Sequence, residues 1–154
     1  MSEQMDQTKV DFVEEMTLKM EETGLPRIAC QILSWLMICN PVHQSFSDLI
    51  ENLKISKASI SNMTRLLIQM GLIEKVRIQG ERQIHFQLKN NAWVDLLEIQ
   101  TQQIFSLARI SKKGMILAES DENVDNARLE EMNRFYSFLA DEMPSLINRY
   151  KKMS

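Results

Sequence analysis

The chain has 154 residues, 44% hydrophobic and 25% charged, with a formal net charge of −3 and only 4 glycines and 3 prolines. That length leaves room for one domain with a real core rather than two independent ones, and the composition is that of an ordinary globular protein rather than a disordered or disulfide-stapled chain. Few turn formers and abundant Leu, Met, Ile, Glu, Gln and Lys predict a mostly α protein. No apolar run approaches the roughly 18 residues of a membrane span, and the acidic start MSEQMDQTKVDFVEEM lacks the basic-then-apolar order of a signal peptide. A cytoplasmic protein with no membrane partner is expected.

In chain order, Val10, Val13, Met16, Thr17 and Met20 recur at helical spacing, predicting a helix over 5–22 that ends near Gly24. Pro26 suits the first turn of a second helix, RIACQILSWLMIC, which is apolar nearly all round and belongs at the centre of the core. Its Cys30 and Cys39 lie nine residues apart, which on one helix means about 13.5 Å and opposite faces, so they cannot bond to each other. They read as buried apolar residues, with a redox role left open.

Asn40 and Pro41 end that helix, and Ser45 or Ser47 can cap a short one, SDLIENL, that turns Leu49, Ile50 and Leu53 inward. Ser56 is a good N-cap for a helix running to Met70, and Gly71 stands where a left-handed residue is wanted after a helix. The pattern then changes period from 3.6 to 2 around a QGER turn, so residues 72–88 read as a β-hairpin, with Ile84, Phe86 and Leu88 inward and Gln83, His85 and Gln87 solvated. A long helix from Ala92 to about Glu119 and a last one over 124–151 follow, separated by Ser120-Asp121-Glu122-Asn123, with Pro144 expected to kink or restart the last.

The net charge hides an uneven distribution. Residues 54–89 carry seven basic side chains (Lys54, Lys57, Arg65, Lys75, Arg77, Arg82, Lys89) against Glu74 and Glu81, a local +5 between acidic flanks. Local field matters more than total charge for a phosphate backbone. On a helical wheel Ile60, Met63, Leu66, Leu67 and Met70 form one core stripe, while Ala58, Ser61, Asn62, Arg65 and Gln69 gather opposite, with Lys57 and Thr64 at the edge.

That opposite face suits a DNA major groove. Ala58, Ser59 and Ser61 let the backbone approach base edges, Asn62 can pair with adenine, and Arg65 can pair with guanine or clamp phosphate. Ser56 and the helix N-terminus can hold a phosphate. In the hairpin, Arg77 and Arg82, with Gln79 beside them, would flank the duplex, Arg82 at the tip reaching a minor groove. The bland alternative is the solvated face of an amphipathic helix; the following hairpin, the local charge and the small-residue bias weigh against it.

The order helix, tight turn, helix, hairpin is a helix-turn-helix with a wing, and here the sequence resembles a known family. The run GLPRIACQILSWLMICNPVHQSFSDLIENLKISKASISNMTRLLIQMGLIEKVRIQGERQIHFQL, residues 24–88, is similar to MarR-type winged-helix regulators and, within them, to the GbsR-like branch of betaine and choline metabolism. GLPRIA, NPVHQSFSDL, SKASIS, TRLL, GLIEKV and GER carry the resemblance, while Gln83 stands where a second wing arginine is expected. It implies a triangular homodimer. The expected architecture is mostly α (α+β): an N-terminal dimerisation helix over 1–24, a winged helix-turn-helix over 25–90, and a C-terminal helical dimerisation region over 91–154.

Excess apolar stripe on the helices outside the winged helix points to a homodimer independently, and a two-fold dimer favours an inverted-repeat operator. The expected function is sequence-specific transcriptional regulation, as a repressor, with double-stranded DNA and a second copy as partners. A choline- or betaine-type small-molecule effector follows from the resemblance alone; such a cation needs aromatic faces, and Trp35, Trp93, Phe135, Tyr136 and Tyr150 are the aromatics to hand. With two histidines far apart in sequence, His43 and His85, no phosphate-binding glycine loop and no CxxC or HxxxH, no catalysis, metal or cofactor is expected. The rival from another class is a winged helix that uses the same face for a protein partner.

Overall fold

The computed structural model describes residues 6–153 and divides into two compact units, one ending at Ala92 and one beginning at Trp93. The length had suggested a single core; the C-terminal helices instead form a unit of their own. Residues 1–5, including the expected helix start at Met5, lie outside the described residues, as does Ser154.

In the first unit α1 (Gln7–Glu21) starts at Asp6, whose side chain accepts from the Lys9 N–H at 2.9 Å, and it buries Val13, Thr17 and Met20. α2 (Arg27–Ile38) is the central helix: Ala29, Cys30, Ile32, Leu33, Ser34, Trp35 and Leu36 are all buried. Pro26 is its N-cap, one residue earlier than expected, because its φ of −58° is compatible with helix entry but its ψ of 145° is extended.

The hairpin forms as expected from β2 (Ile73–Arg77) and β3 (Ile84–Leu88), with Lys75 opposite Phe86 and Arg77 opposite Ile84. A further strand, β1 (Gln44–Ser45), pairs antiparallel with β3, giving the order β1-β3-β2. This makes β3 the middle strand, and it corrects the expectation that His85 is solvated. Only 4% of His85 is exposed, and its ring meets His43 edge to face at 5.0 Å.

α3 (Phe46–Leu53) begins with a complete capping box: Asp48 N–H donates to Ser45 Oγ at 3.1 Å and Ser45 N–H to Asp48 Oδ2 at 2.9 Å. Its C-cap, Lys54, adopts a left-handed conformation that starts the turn into α4 (Lys57–Gln69). α4 closes in a Schellman motif: Leu72 N–H bonds the Leu67 carbonyl and Gly71 N–H that of Ile68, both at 3.0 Å, with Gly71 at φ +76°. The glycine is required there because a side chain would strain that φ. Leu67 and Leu72 are both fully buried, so the stop signal is also a core contact.

The second unit is a pair of long helices, α5 (Ala92–Ser120) and α6 (Ala127–Met153). The break between them contains the expected polar turn, Asn123 N–H bonding Asp121 Oδ1 at 3.0 Å. Asn133 Nδ2 donates to the Ala108 carbonyl and Ser111 Oγ, both at 3.1 Å, and Glu98 pairs with Lys151. At Gly114 the helices approach so closely that a Cβ would fall 2.9 Å from Leu129 Cδ2. Pro144 does not restart α6, which continues through it to Met153.

Two stability predictions follow from the first unit's core. Gln44 is fully buried; it accepts from Trp35 Nε1 at 3.0 Å and donates to the Pro41 carbonyl at 3.0 Å. Gln44→Leu orphans the indole N–H and should lower unfolding free energy by about 1–3 kcal/mol in urea titrations. Cys39 is buried and its thiol is pushed from 9.0 up to about 12, first by desolvation. A raised folded-state value means that its contribution is fully present below pH 9 and lost as pH rises toward 12. Urea midpoints of wild type and Cys39→Ala should therefore converge over that range; a gap independent of pH would show that the thiolate is not disfavoured by folding.

Candidate nucleic-acid interface

α4 owes its start to Ser56, whose Oγ accepts the Ser59 N–H at 3.2 Å and donates to, or accepts from, Ser59 Oγ at 2.9 Å. The helix is then held by Ile60 and Leu67, both fully buried, with Met63, Leu66 and Met70 half-buried. This fixes its rotation, so Lys57, Ala58, Asn62, Arg65 and Gln69 face solvent, while Ser59 and Ser61 are half-buried beside them. Exposed Ala58 keeps the first turn low, as close approach to a base edge requires.

Thr64 is a correction. The wheel puts it at the edge of the polar face, but it is only 2% exposed, and its Oγ1 donates to the Ile60 carbonyl, at 2.8 Å, and lies 3.1 Å from that of Ser61. A threonine at that wheel angle turns its methyl group into the core and satisfies its hydroxyl on the preceding turn. It supports the helix from within and only borders the cleft between α4 and the wing.

On the wing, Arg77 and Arg82 are exposed. The tip is a tight turn in which Glu81 N–H bonds the Ile78 carbonyl at 3.0 Å, with Gly80 at φ +83°, the third-position geometry of a type II turn. Gln83, where a second arginine was expected, instead accepts a hydrogen bond from Ser47 Oγ at 3.1 Å and ties the wing to α3. Glu74 is spent on Gln87 Nε2 at 2.9 Å. Among the described residues Lys57, Arg65, Arg77 and Arg82 form no ion pair, so their charge is available to an external anion.

Helix and wing are continuous at this face. A cleft of about 190 Å³ between them has Phe46, Ile68 and Phe86 on its walls and Arg65 and Lys75 among its lining. A second hollow, at the other flank of α4, joins Asn62 and Ser59 to Arg27 at the start of α2. Arg27, which pairs with Glu21 at 3.1 Å, was not singled out in the sequence, since only packing brings it beside α4. The structure thus brings together the proposed readers of α4; β1, the Gln83 tether and the His43–His85 contact had no signal in the sequence.

No metal-binding group of three or more His, Cys, Asp or Glu side chains occurs among the described residues. Both cysteines are buried and free. No described helix is long and apolar enough to cross a membrane. Of the aromatics considered for a cation, Trp35 is buried, Phe135 and Tyr136 pack on each other at 5.1 Å, and Trp93 and Tyr150 line one groove in the second unit.

Known proteins agree with this architecture. Residues 91–153 match the family model of MmpR5-like MarR family transcriptional regulators. The chain is 29% identical over 143 residues to the HTH-type transcriptional regulator MmpR5 of Mycobacterium tuberculosis (strain ATCC 25618 / H37Rv), covering 93% of this chain and 87% of the relative. A crystal structure of a transcriptional regulator superposes with a TM-score of 0.74 at 28% identity, over 94% of this chain and 99% of that one. The winged helix with free cations on its helix and wing, continued by helices that match this family model, makes the chain similar to MarR-family winged-helix transcriptional regulators along most of its length.

Proposed function

We propose that the protein acts as a homodimer on an inverted-repeat operator and represses transcription by occupying it. The observation that carries this is the outward face of α4: Lys57, Ala58, Asn62 and Arg65 are exposed together while Ile60, Thr64 and Leu67 hold the helix from behind. Asn62 and Arg65 are about one turn apart: the Asn62 amide can donate to adenine N7 while accepting from its N6 amino group, and the Arg65 guanidinium can donate to both O6 and N7 of guanine. Arg77 and Arg82 would clamp the flanking backbone.

Dimerisation is supported by the second unit, where Ile110, Ile116, Leu117, Phe135 and Phe138 are each more than half exposed. So much apolar surface on a small helical pair calls for a cover, and a second copy supplies one by symmetry. α1, α5 and α6, the helices outside the winged helix, are assigned to this role. The GbsR-like placement and its choline- or betaine-type effector belong to the same proposal, and the Trp93–Tyr150 groove is where such a cation finds ring faces.

Selection of a duplex from a random pool, followed by salt titration, tests the main claim. With 6–10 phosphate contacts, affinity should fall about 10³–10⁵-fold between 50 and 200 mM salt. Arg65→Ala should cost about 1–3 kcal/mol of binding, whereas Thr64→Val should stay within about twofold. Absent or salt-insensitive binding would favour the protein-interaction module. Sedimentation should give about twice 18.0 kDa, with Phe135→Glu shifting the mass toward one copy. Choline or glycine betaine should weaken DNA binding by the wild type and not by Trp93→Ala; no response in either removes the effector from the proposal.

A further inference from the structure

His85 has no part in the contacts just described, yet it is the most polar group buried in the wing. Its Nδ1 lies 3.1 Å from the Gln83 carbonyl, and its Nε2 lies 3.7 Å from Glu81 Oε2. Both neighbours belong to the tip segment that carries Arg82. A carbonyl oxygen only accepts, so Nδ1 must hold a proton to bond it. In the neutral ring that leaves Nε2 with a lone pair facing a carboxylate, which repels it. A proton on Nε2 as well turns that 3.7 Å approach into an ion pair.

We propose that His85 is a positioning residue for the wing: by gaining a proton it clasps Glu81 while holding the Gln83 carbonyl, and so fixes the tip that presents Arg82 to DNA. The inference rests on the DNA-binding role given to the wing above. The surroundings make the clasp sensitive to the proton. β1 covers His85 through the Ser45 pairing, and Val76 lies opposite on β2. α2 contributes no charged residue beyond Arg27.

The charged and titratable groups around the ring are few. Glu81 lies on the tip and His43 on the segment before β1, its ring 5.0 Å away and its Nδ1 buried without a hydrogen bond. Glu74 is on the same face of β2 and is engaged by Gln87, and Asp48 at the start of α3 is engaged by Ser45. Lys75 and Arg77 flank Val76 and by strand alternation lie on the opposite face. Two imidazoliums at the His43–His85 separation repel, so the charge is most useful on the ring that faces Glu81. Glu81 is exposed enough, at 55%, to leave when that charge is gone.

The test uses the full chain, without DNA and then with the duplex selected from a random pool. Ring nitrogen NMR should place the proton of neutral His85 on Nδ1. Hydrogen-exchange protection of the Glu81 amide, which bonds the Ile78 carbonyl, should be roughly two- to fivefold higher at pH 6 than at pH 8, the size of an exposed ion pair. Glu81→Gln, a surface change, should abolish that difference. Affinity for the duplex should rise by a similar factor at pH 6 in the wild type and lose this gain in Glu81→Gln. A proton on Nε2, protection that does not vary with pH, or the same pH ratio of affinity in both proteins overturns the proposal. Failure of every variant to bind DNA instead sinks the regulator function, while exchange in the free protein still reads the clasp.

Discussion

The two-residue pairing of β1 with β3 is the contact on which the first unit's geometry depends. Gln44 opposite Phe86 and Ser45 opposite His85 convert a two-stranded hairpin, marginal by itself, into a sheet with a covered middle strand. The same two residues serve neighbouring elements. Gln44 reaches into the core to bond Trp35 of α2, and Ser45 caps α3. Phe86 packs edge-on against Phe46 at 5.1 Å, joining β3 to α3. One short strand therefore fixes the wing, α2 and α3 to one another, and α4 follows because it packs on α2 and α3. This frame brings the wing against α4, so that Arg65 of the helix and Lys75 of the wing line one cleft.

Rotation of α4 about its own axis is the second constraint, and it is set by burial rather than by polar contacts. Ile60 and Leu67, two turns apart, point the helix inward. Thr64 fills the position between them with its hydroxyl turned back onto the preceding turn. Had Thr64 faced outward, Ile60 would have rolled toward solvent. Asn62 and Arg65 owe their exposure to that wedge, so the core residues decide which side chains are free to read.

Much of this was legible in the sequence, for identifiable reasons. Period-3.6 stripes located the helices, Ser45, Ser56 and Gly71 marked ends through local hydrogen-bond chemistry, and the change to period 2 gave the hairpin. What escaped was non-local. Two residues of strand carry no periodicity, so β1 was invisible, and with it the burial of His85 and its approach to His43 across more than forty residues of chain. Thr64 was misplaced because a wheel assigns an angle but not a rotamer. The expectation of a single core failed because an apolar stripe on a long helix does not say which surface covers it.

That ambiguity bears on how the two units divide their work. The first unit buries its large apolar side chains well; among its described residues Leu18 and Val42 are the large ones left mostly exposed. The second has the opposite character, with few buried residues and aliphatic and aromatic side chains exposed along both helices. A protein whose electrostatics were its only business would have no use for such surface, since it weakens solubility without touching phosphate. On the function proposed above, cationic recognition falls to the first unit, whose own core is well filled, and apolar association to the second, whose described side chains leave much apolar surface exposed.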